Sequence, residues 1–180
     1  ASAIVALSTA NPNCVQSPTA LVCTLDFPVL VGASTINITA YASTDGSGPS
    51  LSTVSLSVVG VAGQVNTLNV TMDGVVAAIR LASPSGTQLT PGQTATVNLV
   101  LTMLDPAGNP IVGPGAYLDS VGNPLTIAVT DSDTSGATSI SPKSFSSTSD
   151  GNTIVLNYNG APIVSATIAA SAPGLRSGMA

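Results

Sequence analysis

Apolar and polar residues alternate along much of this chain with a period of two, the pattern of strands buried on one side only. In "TATVNLVLTML", Ala95, Val97, Leu99, Leu101 and Met103 share one face, while Thr94, Thr96, Asn98 and Thr102 share the other. The same pattern groups Ile36, Ile38 and Ala40; Val54, Leu56 and Val58; Leu68, Val70 and Met72; Leu125, Ile127 and Val129; Ile154, Leu156 and Tyr158; and Val164, Ala166 and Ile168. Turn-forming clusters separate these runs: "DGSGP" at 45, "DPAGNP" at 105, "GNP" at 122, "DGN" at 150 and "NG" at 159. No stretch sustains a helical period, so the chain is predicted to be all-β and antiparallel. Before residue 74 the pattern predicts strands around 3–7, 20–26, 35–42, 51–59 and 65–73.

The two halves echo each other. "GASTINITAYASTD" (32–45) is followed by "NTLNVTMDG" (66–74), and "GQTATVNLVLTMLD" (92–105) is followed by "NTIVLNYNG" (152–160). The echo predicts two tandem, related antiparallel β-sandwiches, a small one over residues 1–77 and a larger one over residues 78–180.

Residues 78–175 contain the segments "LTMLDPAGNPIVGPGAYLDSVGNPLTIAVTDSDTSGATSISP" and "IVLNYNGAPIVSATIAASAPG". With their D-x-x-G-N-P turn, polar Asp and Ser loop and final Y-N-G hairpin, these resemble the immunoglobulin-like repeats of bacterial surface proteins of the invasin and intimin type. The first half, with "CTLDFPVLVGASTINITAYASTDGSGPSLSTVSLSV", is similar to a partner module that precedes such repeats in secreted bacterial proteins. The resemblance implies a non-catalytic spacer, stalk or adhesive module. Its motifs specify turns and strands, and a fold does not by itself specify a function.

Composition narrows the function classes. Only 6% of residues are charged, and the cations are Arg80, Lys143 and Arg176 alone. Three scattered cations cannot neutralise a run of phosphates, which argues against a nucleic-acid partner. No apolar run approaches the roughly 20 residues that span a bilayer as a helix. A surface built from hydroxyls and amides suits a secreted or cell-surface protein. Cys14 and Cys23, nine positions apart, are expected to pair in an oxidising compartment. Two free thiols are the alternative, and a zinc site lacks any His to complete it. The chain begins without Met, which suggests a removed signal peptide or an excised segment.

Candidate chemistry is sparse. Asp131 and Asp133 in "TDSDTSG" lie just beyond a predicted strand, with the spacing of a calcium loop. No further bidentate acid completes that motif, and Asp side chains also satisfy turn backbone unaided. Calcium is therefore the only cofactor that the loop suggests, and none is expected. Nucleophilic catalysis lacks a His to activate a serine. A dyad of Lys143 with Ser141 or Ser144, or an isopeptide bond from Lys143, would need a buried lysine where the sequence suggests a solvated one. Asn37 and Asn69 head N-x-T sequons on outward strand faces, and would carry glycans only in a host that adds them. Tyr117, in a long Gly- and Pro-rich loop, is the first candidate for ligand contact.

These observations lead to a non-enzymatic building block of an extracellular filament, stalk or adhesin. Ile4, Val5 and Leu7 lie in an uncharged N-terminal segment suited to strand addition, so the expected partners are further copies or neighbouring domains. A glycan- or ligand-binding module is the alternative.

Overall fold

The structure is a computed structural model that describes residues 3–16, 21–84, 88–112, 115–175 and 178–179. It is all-β, with the strands ordered along the chain as β1 (Cys14–Gln16), β2 (Leu21–Cys23), β3 (Gly32–Tyr41), β4 (Ser50–Gly60), β5 (Asp73–Val75), β6 (Ala78–Ala82) and β7 (Ala95–Leu104). There follow β8 (Tyr117–Leu118), β9 (Ile127–Asp131), β10 (Thr138–Ser141), β11 (Ser144–Phe145), β12 (Thr153–Tyr158), β13 (Ile168–Ser171) and β14 (Gly178–Met179). One 3-10 turn, Thr148–Asp150, is the only helical element among the described residues.

Two four-stranded sheets, in the orders β10-β12-β7-β6 and β11-β9-β13-β14, supply the core. Every pairing within them is antiparallel. The alternation of β7 buries Val97, Leu99, Leu101 and Met103, and that of β12 buries Ile154, Leu156 and Tyr158. From the other sheet Ile127, Val129, Ile168, Ala170 and Phe145 join the same cluster. Each aliphatic or aromatic side chain fully withdrawn from water stabilises the fold by about 1.5–3 kcal/mol, so this cluster is the main source of stability.

A third four-stranded sheet has the order β3-β4-β5-β8. The long β3–β4 hairpin is antiparallel, with Ile36 opposite Leu56 and Ile38 opposite Val54. β5 joins it to the rest of the chain, pairing with β4 through Ser52 and Thr53 and, in parallel, with β8 through Gly74–Tyr117 and Val75–Leu118. Pairing thus crosses position 77/78, and Val75 and Val76, on the N-terminal side of it, are buried.

Burial divides the chain unequally. Among the described residues before Gly74, only Cys14 and Gly60 are buried. The inward residues of β3 and β4, including Ile36, Ile38, Val54, Leu56 and Val58, are half-buried at most.

Several expected strands are absent. Residues 3–7 and 64–72 form no ladder. Leu68 and Val70 are 49% and 38% exposed. Alternation specifies which side of a strand is apolar but does not supply a pairing partner: the segment forms no ladder with β4, which pairs with β5 at Ser52 and Thr53 alone, and Asn66 Nδ2 donates to the Val59 carbonyl at 3.3 Å. The echo therefore stops at its first member: residues 92–105 pair with 152–160 as β7 with β12, whereas residues 32–45 pair with β4. Val164 is likewise outside any strand and fully exposed, and only Ile168 of its expected face is buried, in β13.

Candidate functional site

The N-terminal sheet ends on a strand edge that pairs with no other strand among the described residues. β3 is the outer strand of its sheet. Over Gly32–Tyr41 it carries no charge and no proline, and its only register irregularity falls at its last step, Ala40/Tyr41. Exposed edges are normally blunted by charge, proline or an internal bulge. None of these devices is present in the body of β3.

The N-terminal segment meets the turn that follows β3 through Ile4. Ile4 is 70% and Leu7 53% exposed, and Val5 is half-buried. Among the described residues the segment is tied by the side chain of Asn11, whose Nδ2 donates to the Ala6 carbonyl at 2.8 Å. Ile4 rests on the turn after β3, where its Cδ1 lies 3.4 Å from the point a Cβ on Gly46 would occupy. That turn is closed by Asp45, whose Oδ1 accepts from the Ser47 amide at 3.0 Å and the Ser47 hydroxyl at 2.7 Å. These bonds hold the Asp45 carboxyl below the usual carboxylate range.

Downstream, Asn11 turns the chain into β1, accepting at Oδ1 from the Asn13 amide. Cys14 and Cys23 face each other across β1 and β2, joined in a disulfide with their Cα atoms 4.0 Å apart.

The acidic loop after β9 is an intramolecular hydrogen-bonding unit. Asp131 accepts from the Asp133 amide through Oδ1 (2.9 Å) and from the Thr138 hydroxyl through Oδ2 (2.8 Å). Asp133 accepts at Oδ1 from the Ser135 amide (2.8 Å) and hydroxyl (2.6 Å), and at Oδ2 from the Thr138 amide (2.8 Å). The Ser135 hydroxyl, then the Thr138 amide, hold the Asp133 carboxyl well below its ordinary range. All four carboxylate oxygens are thus engaged by their own loop. Among the described residues, no group of three or more His, Cys, Asp or Glu side chains is placed to hold a metal ion.

Two further Asp residues build matching turns, fourteen positions apart. In "DPAGNP" Asp105 Oδ1 accepts from the amides of Ala107 and Asn109, both at 2.9 Å. In "DSVGNP" Asp119 Oδ1 accepts from Val121 and Asn123, at 2.9 and 2.8 Å. In each turn the Asn side chain returns to the other carboxylate oxygen, the Asp amide donates to the Asn carbonyl, and the glycine (φ 84° at Gly108, 89° at Gly122) takes the left-handed conformation that disfavours a side chain. Beyond the turns the backbone closes equivalently, Ile111 N on Met103 O and Leu125 N on Tyr117 O.

That equivalence locates Tyr117. The loop position expected for it is corrected: Tyr117 lies in β8, is 2% exposed and belongs to the core. Met103, its counterpart before the first turn, faces inward for the same reason. Burial, with the Asp150 carboxylate as a second cause, pushes the Tyr117 phenol up to about 12. A ring so placed cannot form an exposed binding platform, and Gly113 and Pro114 of the expected loop lie outside the described residues. Asp150 itself accepts at Oδ2 from the Ser146 and Ser147 amides, closing the 3-10 turn. The shallow depression beside it, lined by Met103, Ile111, Tyr117, Thr148 and Asn152 among others, contains no charged side chain.

Lys143 is exposed between β10 and β11. Asn37 projects outward from β3 as expected, whereas Asn69 is exposed in the ladder-free segment and not on a strand. Among the described residues no helix is long and apolar enough to cross a membrane. No family model, curated protein or solved structure matches the chain.

Proposed function

We propose that the chain is a non-enzymatic structural module of a secreted or cell-surface protein, a self-associating unit of an extracellular filament, stalk or adhesin. In this reading it comprises two immunoglobulin-like β-sandwich modules, with residues 78–180 as the complete one and residues 1–77 as the one that requires a partner. The observation that carries the reading is the asymmetry of burial: of the described residues ahead of Gly74, only Cys14 and Gly60 are buried, while an uncharged N-terminal segment makes no ladder. A domain that leaves its apolar face half-covered gains stability when another chain covers it. The disulfide is compatible with an oxidising, extracellular setting. The resemblance of the turn and strand motifs to invasin- and intimin-type repeats supports the same class.

Negative-stain electron microscopy of the intact chain beside a version lacking residues 1–10 tests this. Fibres or linear oligomers that disappear on truncation are expected. Discrete particles of the same size in both samples, at every concentration, would overturn it.

A further inference from the structure

The proposed assembly rests on a donor, and the structure also contains a matching acceptor. We infer that the outer edge of β3 accepts the N-terminal segment, residues 3–7, of a second copy of this chain. This deepens the reading above and depends on it.

The complementarity is chemical and geometric. Both strands lack charge and proline, so neither repels the other nor interrupts a ladder. β3 presents Ser34, Ile36, Ile38 and Ala40 on its half-buried face and Thr35, Asn37 and Thr39 on its exposed face. In the donor, Ala3, Val5 and Leu7 share one face by the same period of two. Laid beside β3, that face would place Val5 and Leu7 next to Ile36 and Ile38, which already stand opposite Leu56 and Val54 of β4. One apolar stripe would then run across three strands, covering side chains that the single chain leaves half-exposed.

A second copy is favoured over the chain's own segment by what holds that segment in place. Ile4 is seated on the Gly46 turn, beyond the end of β3, and the Asn11 side chain ties Ala6 to the turn leading into the disulfide hairpin. No backbone hydrogen bond links residues 3–7 to β3 among the described residues. Donor and acceptor are different surfaces, so the contact is heterologous. Repeated head to tail it yields an open chain of subunits, or a ring where the rotation closes, and exchanged reciprocally between two copies it yields a closed pair.

Cysteine cross-linking in the full chain tests the assignment. One preparation carries Val5→Cys; it is mixed under mild oxidation with others carrying Ile36→Cys, Ile38→Cys, Thr35→Cys or Asn37→Cys. Circular dichroism and sedimentation verify that each variant folds and associates like the parent. The expected result is intermolecular disulfide dimers of Val5→Cys with Ile36→Cys or Ile38→Cys, severalfold more abundant than with Thr35→Cys or Asn37→Cys, because only the first pair shares its face. Association that depends on residues 1–10 but gives no such preference would overturn the β3 assignment and leave the assembly reading standing. A Val5→Cys/Ile38→Cys double variant that closes within single chains would overturn the exchange between copies. Absence of association altogether would overturn both.

Discussion

The unequal burial of the two halves predicts that equivalent truncations will have unequal costs. Leu101, on β7, is 0% exposed and surrounded by the main cluster. Its replacement by Ala removes buried carbons and leaves a cavity that a packed core refills only partly, at a cost of about 3–4 kcal/mol. At roughly 2–4 °C per kcal/mol for a chain of this size, Tm falls by about 6–16 °C. Ile38, on β3, is half-buried and sits at an open edge. Its replacement by Ala removes three carbons worth about 0.8 kcal/mol each when fully buried. Halved for exposure, and without a cavity term because solvent already reaches the site, the cost is about 1 kcal/mol. Urea unfolding followed by far-ultraviolet circular dichroism, at concentrations low enough to keep the chain monomeric, measures both. Raising the concentration should then increase the cost of Ile38→Ala and leave that of Leu101→Ala unchanged. Equal costs for the two variants in the dilute monomer would refute the claim that the N-terminal sheet is incompletely covered.

Reduction of Cys14–Cys23, or its replacement by serines, releases a nine-residue separation and should destabilise the N-terminal region by about 2–3 kcal/mol on the chain-entropy model; hydrogen exchange should detect the loss in β1 and β2 and leave β7 and β12 protected. The depressed Asp133 carboxyl binds a proton less readily folded than unfolded, so its stabilisation is present above about pH 4 and lost as the pH falls below that value. The stability gap between the parent and Asp133→Asn, read from urea midpoints, should accordingly shrink from neutral pH to about pH 3; a constant gap would contradict the hydrogen-bonding role. The Tyr117 phenol should ionise at about pH 12 in an ultraviolet titration, and a normal titration would mean that the ring is not buried. A Cβ on Gly115 would stand 2.3 Å from the Met72 carbonyl oxygen, so Gly115→Ala should force β5 and β8 apart and raise exchange at Val75 and Leu118, with no such effect from an Ala at exposed Ser120.

The strands that bear stability were legible because their alternation is long and one-sided. β7, β9 and β12 bury the faces that their spacing assigns, and the half-buried faces of β3 and β4 follow the same rule. Where alternation was short and the partner undetermined, the pattern misled. Leu68, Val70 and Met72 alternate as well as any true strand, yet no neighbouring edge pairs with them. Tyr117 was concealed by the surrounding Gly and Pro residues. The signal that would have found it is the repetition of "MLDPAGNPI" as "YLDSVGNPL", in which Tyr117 takes the place of Met103, already assigned inward. The acidic loop offered two chemistries from sequence alone, a cation site or backbone capping, since both need two carboxylates near a turn. Only the hydrogen bonds to Ser135 and Thr138 reveal how its oxygens are used.

Completion of the N-terminal sheet by another copy is read by hydrogen exchange with mass spectrometry as a function of chain concentration. The expected result is protection rising together at residues 3–7 and across Gly32–Tyr41 as concentration increases, while β7 and β12 remain equally protected throughout. Protection of both segments that is independent of concentration would contradict it.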